Sequence, residues 1–378
     1  MCIRDRTYIG HETANGVPLV LETTSDTELM NNPRASVQQV YGRIMEDLDE
    51  AITLLTGASA RADKAEISVE VAYGLRARAN LLMGKWAAAA SDAAKAYGTS
   101  APYSVADVSQ PTFYNATDNA WIWGIVVTTE DYLAKTGIVN WPSNLCSLTG
   151  MGYTTAASAT DVAYRLINKN LWAKIPETDV RKGWWVDEDL HSPVLDNGLG
   201  EDYAYYWANG MFNGGTFPSK FSPYTNVKFG PDNGTFADTD NAQDWPLMRV
   251  EEMKLIEAEA LGRDNLATGK QKLEEFVRQY RDPSYTCTAG SLDAFIDEVW
   301  FQRRIELWGE GFALFDILRL KKPIIRQGAN YPINSTFAEI AAEAPIMIYR
   351  IPEAETSVNS AITEADNNPA AMAPTPVN

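Results

Sequence analysis

The side chains that most often carry catalysis or bind transition metals are scarce in this sequence. Its histidines are His11 and His191 alone, so a histidine-ligated metal or a Ser/His/Asp triad has almost no raw material. The three cysteines, Cys2, Cys146 and Cys287, show no CxxC spacing, which supports neither a zinc site nor a disulfide framework. No P-loop, dinucleotide-binding or HExxH motif occurs. From these absences we expect no cofactor and no metal.

Carboxylates, in contrast, are abundant. Fifty Asp and Glu residues stand against 32 Lys and Arg residues, and the net charge of −18 disfavours phosphate-backbone binding, so nucleic acid is not expected as a partner. Such an acidic chain always offers carboxylate pairs, and a glycoside hydrolase therefore stays open as a less favoured alternative. Asp238, Asp240 and Asp244 could ligate calcium, but their spacing departs from an EF-hand loop, and a solvated turn is favoured.

Aromatic side chains in an irregular stretch, residues 183–230, give the main indication of binding. Sugar faces pack against indole and phenol rings, while Asn and Asp side chains orient hydroxyl groups. We expect at least one aromatic cluster here to be exposed; the alternative is that the rings close a small core beneath the loops. The candidate ligand-binding residues are Trp184, Trp185, Tyr205, Tyr206, Trp207 and Asn209.

Helices must support this stretch. Apolar residues recur at three- and four-residue steps from 36 to 55, where Ser36 and Gln39 form a capping-box pattern. Alanine-rich helix pairs follow at 68–97, with a break at Gly84, and at 245–280, with a break at Gly262. This layout is typical of tetratricopeptide-like repeats, and unrelated antiparallel pairs are the alternative.

The part between the helical blocks, from about 101 to 245, is rich in Gly, Pro, Asn and aromatic residues. We predict one helix near 160–172 and β-structure at 120–129, with loops elsewhere. Long ordered loops of this kind are commonly functional.

Residues 303–320, RRIELWGEGFALFDILRL, combine core-forming side chains with charges and two glycines. Read as one helix, most of its circumference is apolar, so it is expected inside the scaffold with its charges paired. Arg303, Glu306 and Glu310 would share a face, and Asp316 with Arg319 would form an i, i+3 pair. The glycines would mark close contacts with a neighbouring backbone. The expected structural ion-pair motif comprises Arg303, Arg304, Glu306, Glu310, Asp316 and Arg319.

Four segments, in this order, resemble the SusD/RagB family of Bacteroidetes nutrient-uptake lipoproteins. Residues 33–55 are similar to the family's helix after a "PR" dipeptide, and 245–261 to its "R..E..L..AEA" helix. Residues 303–323 are similar to its "EG" and "DL.R" segment, and 349–369 to its closing "IP..E...N......NP" element. Ala313 departs from an arginine that is frequent in the family, which puts one expected ion pair in doubt.

The resemblance implies one mainly α SusD-like domain over residues 1–378, with tetratricopeptide-like repeats, a loop-rich ligand region and minor β-structure. It also implies an N-terminal segment with a signal peptide and a lipidated cysteine, which this sequence lacks; Cys2 cannot take that role because no lipobox precedes it. The expected parts are a helical scaffold at about 33–100 and 245–323, a ligand region at about 101–245, and a closing segment at 324–378.

The function implied by the resemblance is nutrient capture. Such a protein sits at the surface of the outer membrane through its lipid anchor, binds an oligosaccharide or similar nutrient, and passes it to a SusC-like TonB-dependent transporter for polysaccharide utilization. Two alternatives stay open: a repeat scaffold that docks proteins without binding glycans, and the hydrolase mentioned above. The ligand itself, glycan or peptide, is not indicated by the residues.

Overall fold

The structure, a computed structural model, describes residues 7–135, 144–149, 164–211, 220–331 and 339–369. Within these ranges the chain is mainly helical, as predicted, with short strands that pair two by two. The α-helices are α1 (Asp26–Leu29), α2 (Val37–Leu55), α3 (Val69–Leu82), α4 (Trp86–Tyr97), α5 (Val105–Val108), α6 (Tyr132–Lys135), α7 (Lys169–Trp172), α8 (Pro193–Leu199), α9 (Glu201–Ala208), α10 (Val250–Asp264), α11 (Leu266–Tyr280), α12 (Leu292–Glu306), α13 (Ala313–Arg319) and α14 (Glu353–Thr356). The antiparallel strand pairs are β1 (Asn15–Pro18) with β2 (Arg34–Ser36), β3 (Trp121–Ile125) with β4 (Trp245–Arg249), and β5 (Ile324–Ile325) with β6 (Glu339–Ile340).

The capping box predicted at the start of α2 is present. The Ser36 hydroxyl accepts a hydrogen bond from the backbone N–H of Gln39 at 3.2 Å, and Gln39 Oε1 accepts one from the Ser36 N–H at 2.8 Å. These bonds satisfy two N–H groups at the helix start. Beyond the helix end, Gly57 has a φ of +81°, a left-handed conformation that glycine adopts without a steric penalty. Both ends of α2 are therefore encoded locally.

Small residues allow α3 and α4 to pack closely against each other and against α10. Ala77, Ala89 and Ala93 are fully buried in the core that these three helices share. Gly84 makes the turn between α3 and α4 with a φ of +73°. The hairpin predicted at 68–97 is confirmed, and it packs directly against a helix from the second helical block, as in tetratricopeptide-like repeats.

The second hairpin differs from the prediction at both ends of its first arm. The expected helix starts later, because its first five residues form β4 and pair with β3. The turn lies at Asn265, whose side chain accepts from the Thr268 N–H, while Gly262 is inside α10. A Cβ atom on Gly269 would lie 2.3 Å from the Gly262 Cα. The two glycines are thus the crossing point of α10 and α11 and not a turn signal.

The loop-rich part has its own core. Trp121, Trp184 and Phe229 are buried there together with Ile305 from α12. The strand predicted at 120–129 is confirmed as β3. Two predictions about helices were wrong. First, α8 and α9 lie in a stretch that was expected to contain no helix. Second, the helix expected near 160–172 is limited to α7 among the described residues, which do not include 160–163. Helices of seven and eight residues, separated by Gly200, are too short to show a helical period.

Residues 303–320 do not form one helix. The first helix, α12, ends at Glu306, a turn occupies 307–312, and α13 follows. Gly309 and Gly311 have φ values of +82° and +89°, which an L-residue rarely adopts, so the glycines break the helix. Burial was predicted correctly for Ile305, Glu306 and Asp316. The rings of Trp308 and Phe312 are only half-buried.

Part of the closing segment, residues 339–369, is tied to the chain just before α2. Asn359 accepts from the Asn32 N–H at 2.9 Å and donates to the Asn32 carbonyl at 2.7 Å. Arg34 donates to the Asp366 carbonyl at 2.7 Å and to Asn368 Oδ1 at 3.2 Å. The "PR" and "NP" motifs, more than 300 residues apart in the sequence, are therefore hydrogen-bonded to each other.

Candidate functional site

The charged residues of the 303–320 segment enter a buried ionic network whose centre is Glu306. Arg281 donates to both carboxylate oxygens of Glu306, from Nε at 2.8 Å and from Nη2 at 2.9 Å. Arg249 and Arg181 approach the same carboxylate at 3.4 Å and 3.3 Å. All four side chains are completely buried. We call this set the Glu306 network; its four cations and four carboxylates are Arg181, Lys228, Arg249, Arg281, Asp179, Glu251, Glu306 and Glu310.

Lys228 links the Glu306 network to the glycine turn. Its ammonium group donates to the carbonyl oxygens of Glu306 and Trp308, each at 2.9 Å, and to Glu310 Oε1 at 2.6 Å. The Glu306 carbonyl is one that the end of α12 leaves without an intrahelical donor, and the Trp308 carbonyl lies in the turn itself. One side chain therefore satisfies the helix end and fixes the turn that follows.

A second group of ion pairs ties α13 to α10. Asp316 accepts from Arg303 at 2.8 Å and from Arg319 at 2.7 Å, and Arg319 also binds both oxygens of Glu259 at 2.6 and 2.7 Å. The Asp316–Arg319 pair confirms the prediction. The grouping of Arg303 with Glu306 and Glu310 was wrong, because Arg303 turns to Asp316 across the glycine turn.

Arg304 does not belong to either group. Its guanidinium lies 4.8 Å from the centre of the Trp300 ring, and no carboxylate in the described part of the chain forms a salt bridge with it. Its expected place in the ion-pair motif was wrong, because its side chain leaves the helix on the opposite side from the Glu306 network.

The electrostatic balance identifies the Glu306 network as structural. Burial by itself raises the pKa of Glu306, but the charges of Arg281, Arg249 and Arg181 outweigh this and hold the pKa well below its usual range. Burial lowers the pKa of Lys228 to about 8, although Glu310 opposes the shift. The carboxylate at the centre is thus ionised and held by several donors, which suits a brace within the core and leaves it no proton to exchange.

Three of the predicted aromatic ligand contacts are core residues instead. Trp184, Trp185 and Trp207 expose at most 2% of their surface. Trp184 Nε1 donates to the Val108 carbonyl at 3.0 Å, and Trp207 Nε1 donates to the Ser147 carbonyl at 3.2 Å. These rings offer no surface to a ligand, because residues distant in sequence cover them.

The tyrosines of the same stretch are exposed. Tyr205 and Tyr206 expose 57% and 46% of their surface, and Tyr203, one turn earlier, exposes 58%. The Tyr205 and Tyr206 rings meet edge to face with centroids 6.0 Å apart. All three lie on α9, so they belong to a helix and not to a loop as predicted. Asn209 follows the helix end and donates from its amide to the Tyr205 carbonyl at 3.0 Å.

The inner face of α9 holds these tyrosines in place. Ala204, Trp207 and Ala208 are buried in the core of the loop-rich part. Gly200, with a φ of +82°, sets the angle between α8 and α9. The exposed rings therefore stand on a short helix that is fixed by a buried tryptophan, and they need little reorganisation to meet a ligand.

Two of the three acidic residues considered for calcium accept hydrogen bonds from the backbone. Asp238 Oδ1 accepts from the Asp240 N–H at 3.2 Å. Asp244 accepts from the backbone N–H groups of Ala116 and Val127, each at 2.8 Å. In the described ranges no cluster of three or more His, Cys, Asp or Glu residues is arranged to hold a metal ion. None of the helices there has both the length and the apolar character that crossing a membrane requires.

The comparisons with known proteins bear on the fold and on the motifs. Among curated proteins, none has a sequence that matches this chain significantly. A model of the SusD family matches residues 154–369, more than half of the chain. The chain belongs to the SusD family.

Solved structures agree with this SusD-family assignment. A SusD-like carbohydrate binding protein from Bacteroides vulgatus is 21% identical, with a TM-score of 0.71, and the match covers 97% of this chain and 74% of that one. A SusD superfamily protein from Bacteroides thetaiotaomicron is 20% identical, with a TM-score of 0.73 and coverages of 98% and 74%. A laminarin binding SusD-like protein is 20% identical, with a TM-score of 0.50 and coverages of 82% and 67%. These likenesses confirm the predicted fold.

Two of the SusD-family segments recognised in the sequence meet in the Glu306 network. Arg249 comes from the "R..E..L..AEA" segment, and it binds Glu306 and Glu310 of the "EG" segment. Arg181 and Lys228 lie outside the recognised segments, and their role was missed. The sequence carried no signal for them, because residues 303–320 hold three cations and three carboxylates and so balance by count.

Proposed function

We propose that this protein captures oligosaccharide at the cell surface and passes it to a SusC-like TonB-dependent transporter in the outer membrane. Membership of the SusD family supports carbohydrate binding as the general role. The observation that carries the proposal on this chain is the group of exposed tyrosines on α9, which we call the α9 tyrosines: Tyr203, Tyr205 and Tyr206.

The α9 tyrosines suit a sugar chain for a physical reason. The faces of a pyranose ring carry C–H groups that pack against a phenol ring; if each such contact equals a contact between two aromatic rings, it contributes about 0.5–1.5 kcal/mol. Their hydroxyl groups can donate to and accept from sugar hydroxyls. Asn209 donates to the Tyr205 carbonyl at the end of α9, so we assign it a supporting role. The buried Trp207 anchors the inner face of the same helix, whereas Trp184 and Trp185 belong to the surrounding core.

Calorimetric titration with neutral oligosaccharides, including fragments of laminarin, tests the proposal. Replacing both Tyr205 and Tyr206 by Ala is expected to raise the Kd at least tenfold, about 1.4 kcal/mol, because two stacking rings are lost. Tyr132→Ala is the matched control, since Tyr132 is 85% exposed on α6 and lies outside the proposed site. Unchanged affinity in the double variant would remove the α9 tyrosines from the site.

Two further measurements separate this proposal from its alternatives. A protein that only docks partners through its repeats would show no heat with any glycan in the panel, whereas a hydrolase would release reducing ends from a bound glycan during incubation. We expect binding without release. Transfer to the transporter requires a complex, which co-purification with a co-expressed SusC-like transporter from a neighbouring gene would detect; failure to form a complex would contradict that part of the proposal.

A further inference from the structure

A groove of about 670 Å³ lies between the end of α12 and the chain around β5. The glycine turn at 307–312 forms its floor, and the segment around α7 forms one wall. None of the residues of α9 lines it, so it is separate from the α9 tyrosines. A volume of this size falls within the range of small-ligand sites.

The charge of the groove is opposite to that of the protein. Four of its lining residues carry a positive charge, and the single lining carboxylate, Asp316, is already bound by Arg303 and Arg319 at 2.8 and 2.7 Å. The chain as a whole has a net charge of −18. A cationic groove on an acidic protein favours an anionic ligand. The four cations are Lys174, Arg303, Arg304 and Arg326.

Arg304, like Lys174 and Arg326, forms no salt bridge among the described residues and can meet such a ligand. It is half-buried, and among the described residues it has neither a carboxylate partner nor a hydrogen bond, only the ring of Trp300 at 4.8 Å. Burial lowers its pKa, and only Tyr331 acts against that shift. The buried arginines of the Glu306 network are all held by carboxylates, so the isolation of Arg304 is a departure from the pattern of this core.

Aromatic rings stand beside this guanidinium. Trp300 and Trp308 are half-buried and line the groove, and Trp308 is fixed by an edge-to-face contact with the buried Trp185 at 5.6 Å. Tyr331 is 39% exposed and lies beneath the guanidinium of Arg326, 5.0 Å from its ring centre. Stacking orients a guanidinium while leaving its N–H groups at the edge available to a carboxylate, which they can bind with two parallel hydrogen bonds.

We propose that this groove binds the uronic-acid residue of an acidic oligosaccharide, with Arg304 bound to the sugar carboxylate and with Trp308 against the sugar face. The Trp300 ring is already in contact with Arg304 and Lys322, and it orients the guanidinium. A hexuronate carries its carboxylate at the rim of the pyranose ring, so one sugar can stack on an indole of the groove and bind a neighbouring guanidinium through that carboxylate. The inference rests on the proposed function for the class of ligand, and it adds a second site with its own selectivity.

The test compares trigalacturonate with its fully methyl-esterified form, which keeps the sugar faces but removes the charge. Calorimetry is expected to show at least tenfold tighter binding of the acid form, with an affinity that falls as salt is raised. Arg304→Gln should remove that tenfold difference and leave binding of the ester unchanged. Arg43→Gln, a substitution of a surface arginine on α2, is the matched control and should retain it. Arg326→Gln is a second groove variant in case Arg304→Gln fails to fold.

The outcomes distinguish this inference from the proposed function. Equal affinity for the acid and the ester, or an acid preference that survives both groove variants, overturns the groove while leaving glycan capture in place. An acid preference that is lost in the Tyr205→Ala/Tyr206→Ala variant moves the site to α9 and also overturns the groove. If neutral and acidic glycans alike fail to bind, the proposed function fails and this inference falls with it.

Discussion

The Glu306 network makes a sharp prediction about one substitution, Glu306→Gln. Glutamine has the size of glutamate but offers one acceptor oxygen and an NH₂ group. Arg281 now donates to both oxygens of Glu306, at 2.8 and 2.9 Å, so an amide would point N–H groups at a guanidinium. The substitution would also leave four buried cations with three carboxylates in a region without access to water.

The expected loss of stability follows from these contacts. Removing one partner of a buried ion pair costs about 3–5 kcal/mol, because the remaining charge stays buried without compensation. Two charge-assisted hydrogen bonds to Arg281, at about 1.5–3 kcal/mol each, give a similar figure. We therefore expect Glu306→Gln to lower the free energy of unfolding at pH 7 by about 3–5 kcal/mol.

Urea unfolding followed by tryptophan fluorescence measures this difference. Glu50→Gln on α2 is the matched control, because it makes the same chemical change at an exposed position that has no salt bridge among the described residues. Its free energy of unfolding should stay within about 0.5 kcal/mol of the wild-type value. If Glu306→Gln unfolds within about 1 kcal/mol of that control, the buried carboxylate does not hold the three arginines, and the structural reading of the motif is wrong.

Three further predictions concern other parts of the scaffold. Gly269→Ala should destabilise the protein by about 1–3 kcal/mol despite the better helix propensity of alanine, because its Cβ would lie 2.3 Å from the backbone of Gly262. Gly42→Ala in α2, where a Cβ would have no atom within 4 Å, should stabilise the protein by about 0.5–1 kcal/mol. Thermal melts that rank the two variants the other way would contradict the assignment of Gly262 and Gly269 as the crossing point. Lys228→Met should cost about 3 kcal/mol or more in urea unfolding, since it removes one of the two cations that bind the buried Glu310 and takes the ammonium donor from the carbonyls of Glu306 and Trp308. A neutral result would show that Lys228 does not hold the turn. Burial raises the pKa of Glu259, but Arg319 and Arg263 outweigh this effect and lower the pKa to about 2. The ionised Glu259 therefore adds stability that is complete above its ordinary pKa of 4.5 and is lost as the pH falls towards 2. In acid titrations of stability, Glu259→Gln should flatten the loss in that window, and an unchanged slope would contradict the shift.

Several features of the fold were predictable from the sequence alone, because they depend on neighbours along the chain. The capping box of Ser36 and Gln39 and the hairpin turn at Gly84 involve residues within one helical turn of each other. The order of four family segments predicted a SusD-like fold. The burial of the charged segment also followed locally, since apolar residues surround its charges.

The tertiary structure decided which residues meet. Glu306 is held by Arg181, Arg249 and Arg281, which lie 125, 57 and 25 residues away, and no helical spacing can indicate such pairs. Helical periodicity reports only contacts three or four residues apart, so it paired Arg303 with the wrong partners.

The same limit decided the aromatic residues. A tryptophan in an irregular stretch fits a core and a binding surface equally well, and its exposure depends on what packs over it from elsewhere. Trp207 and Tyr206 are adjacent in the sequence, yet one is buried and the other is nearly half exposed, because α9 turns one side towards the core and the other outward. The sequence supplied the rings, and long-range packing determined which of them can reach a ligand.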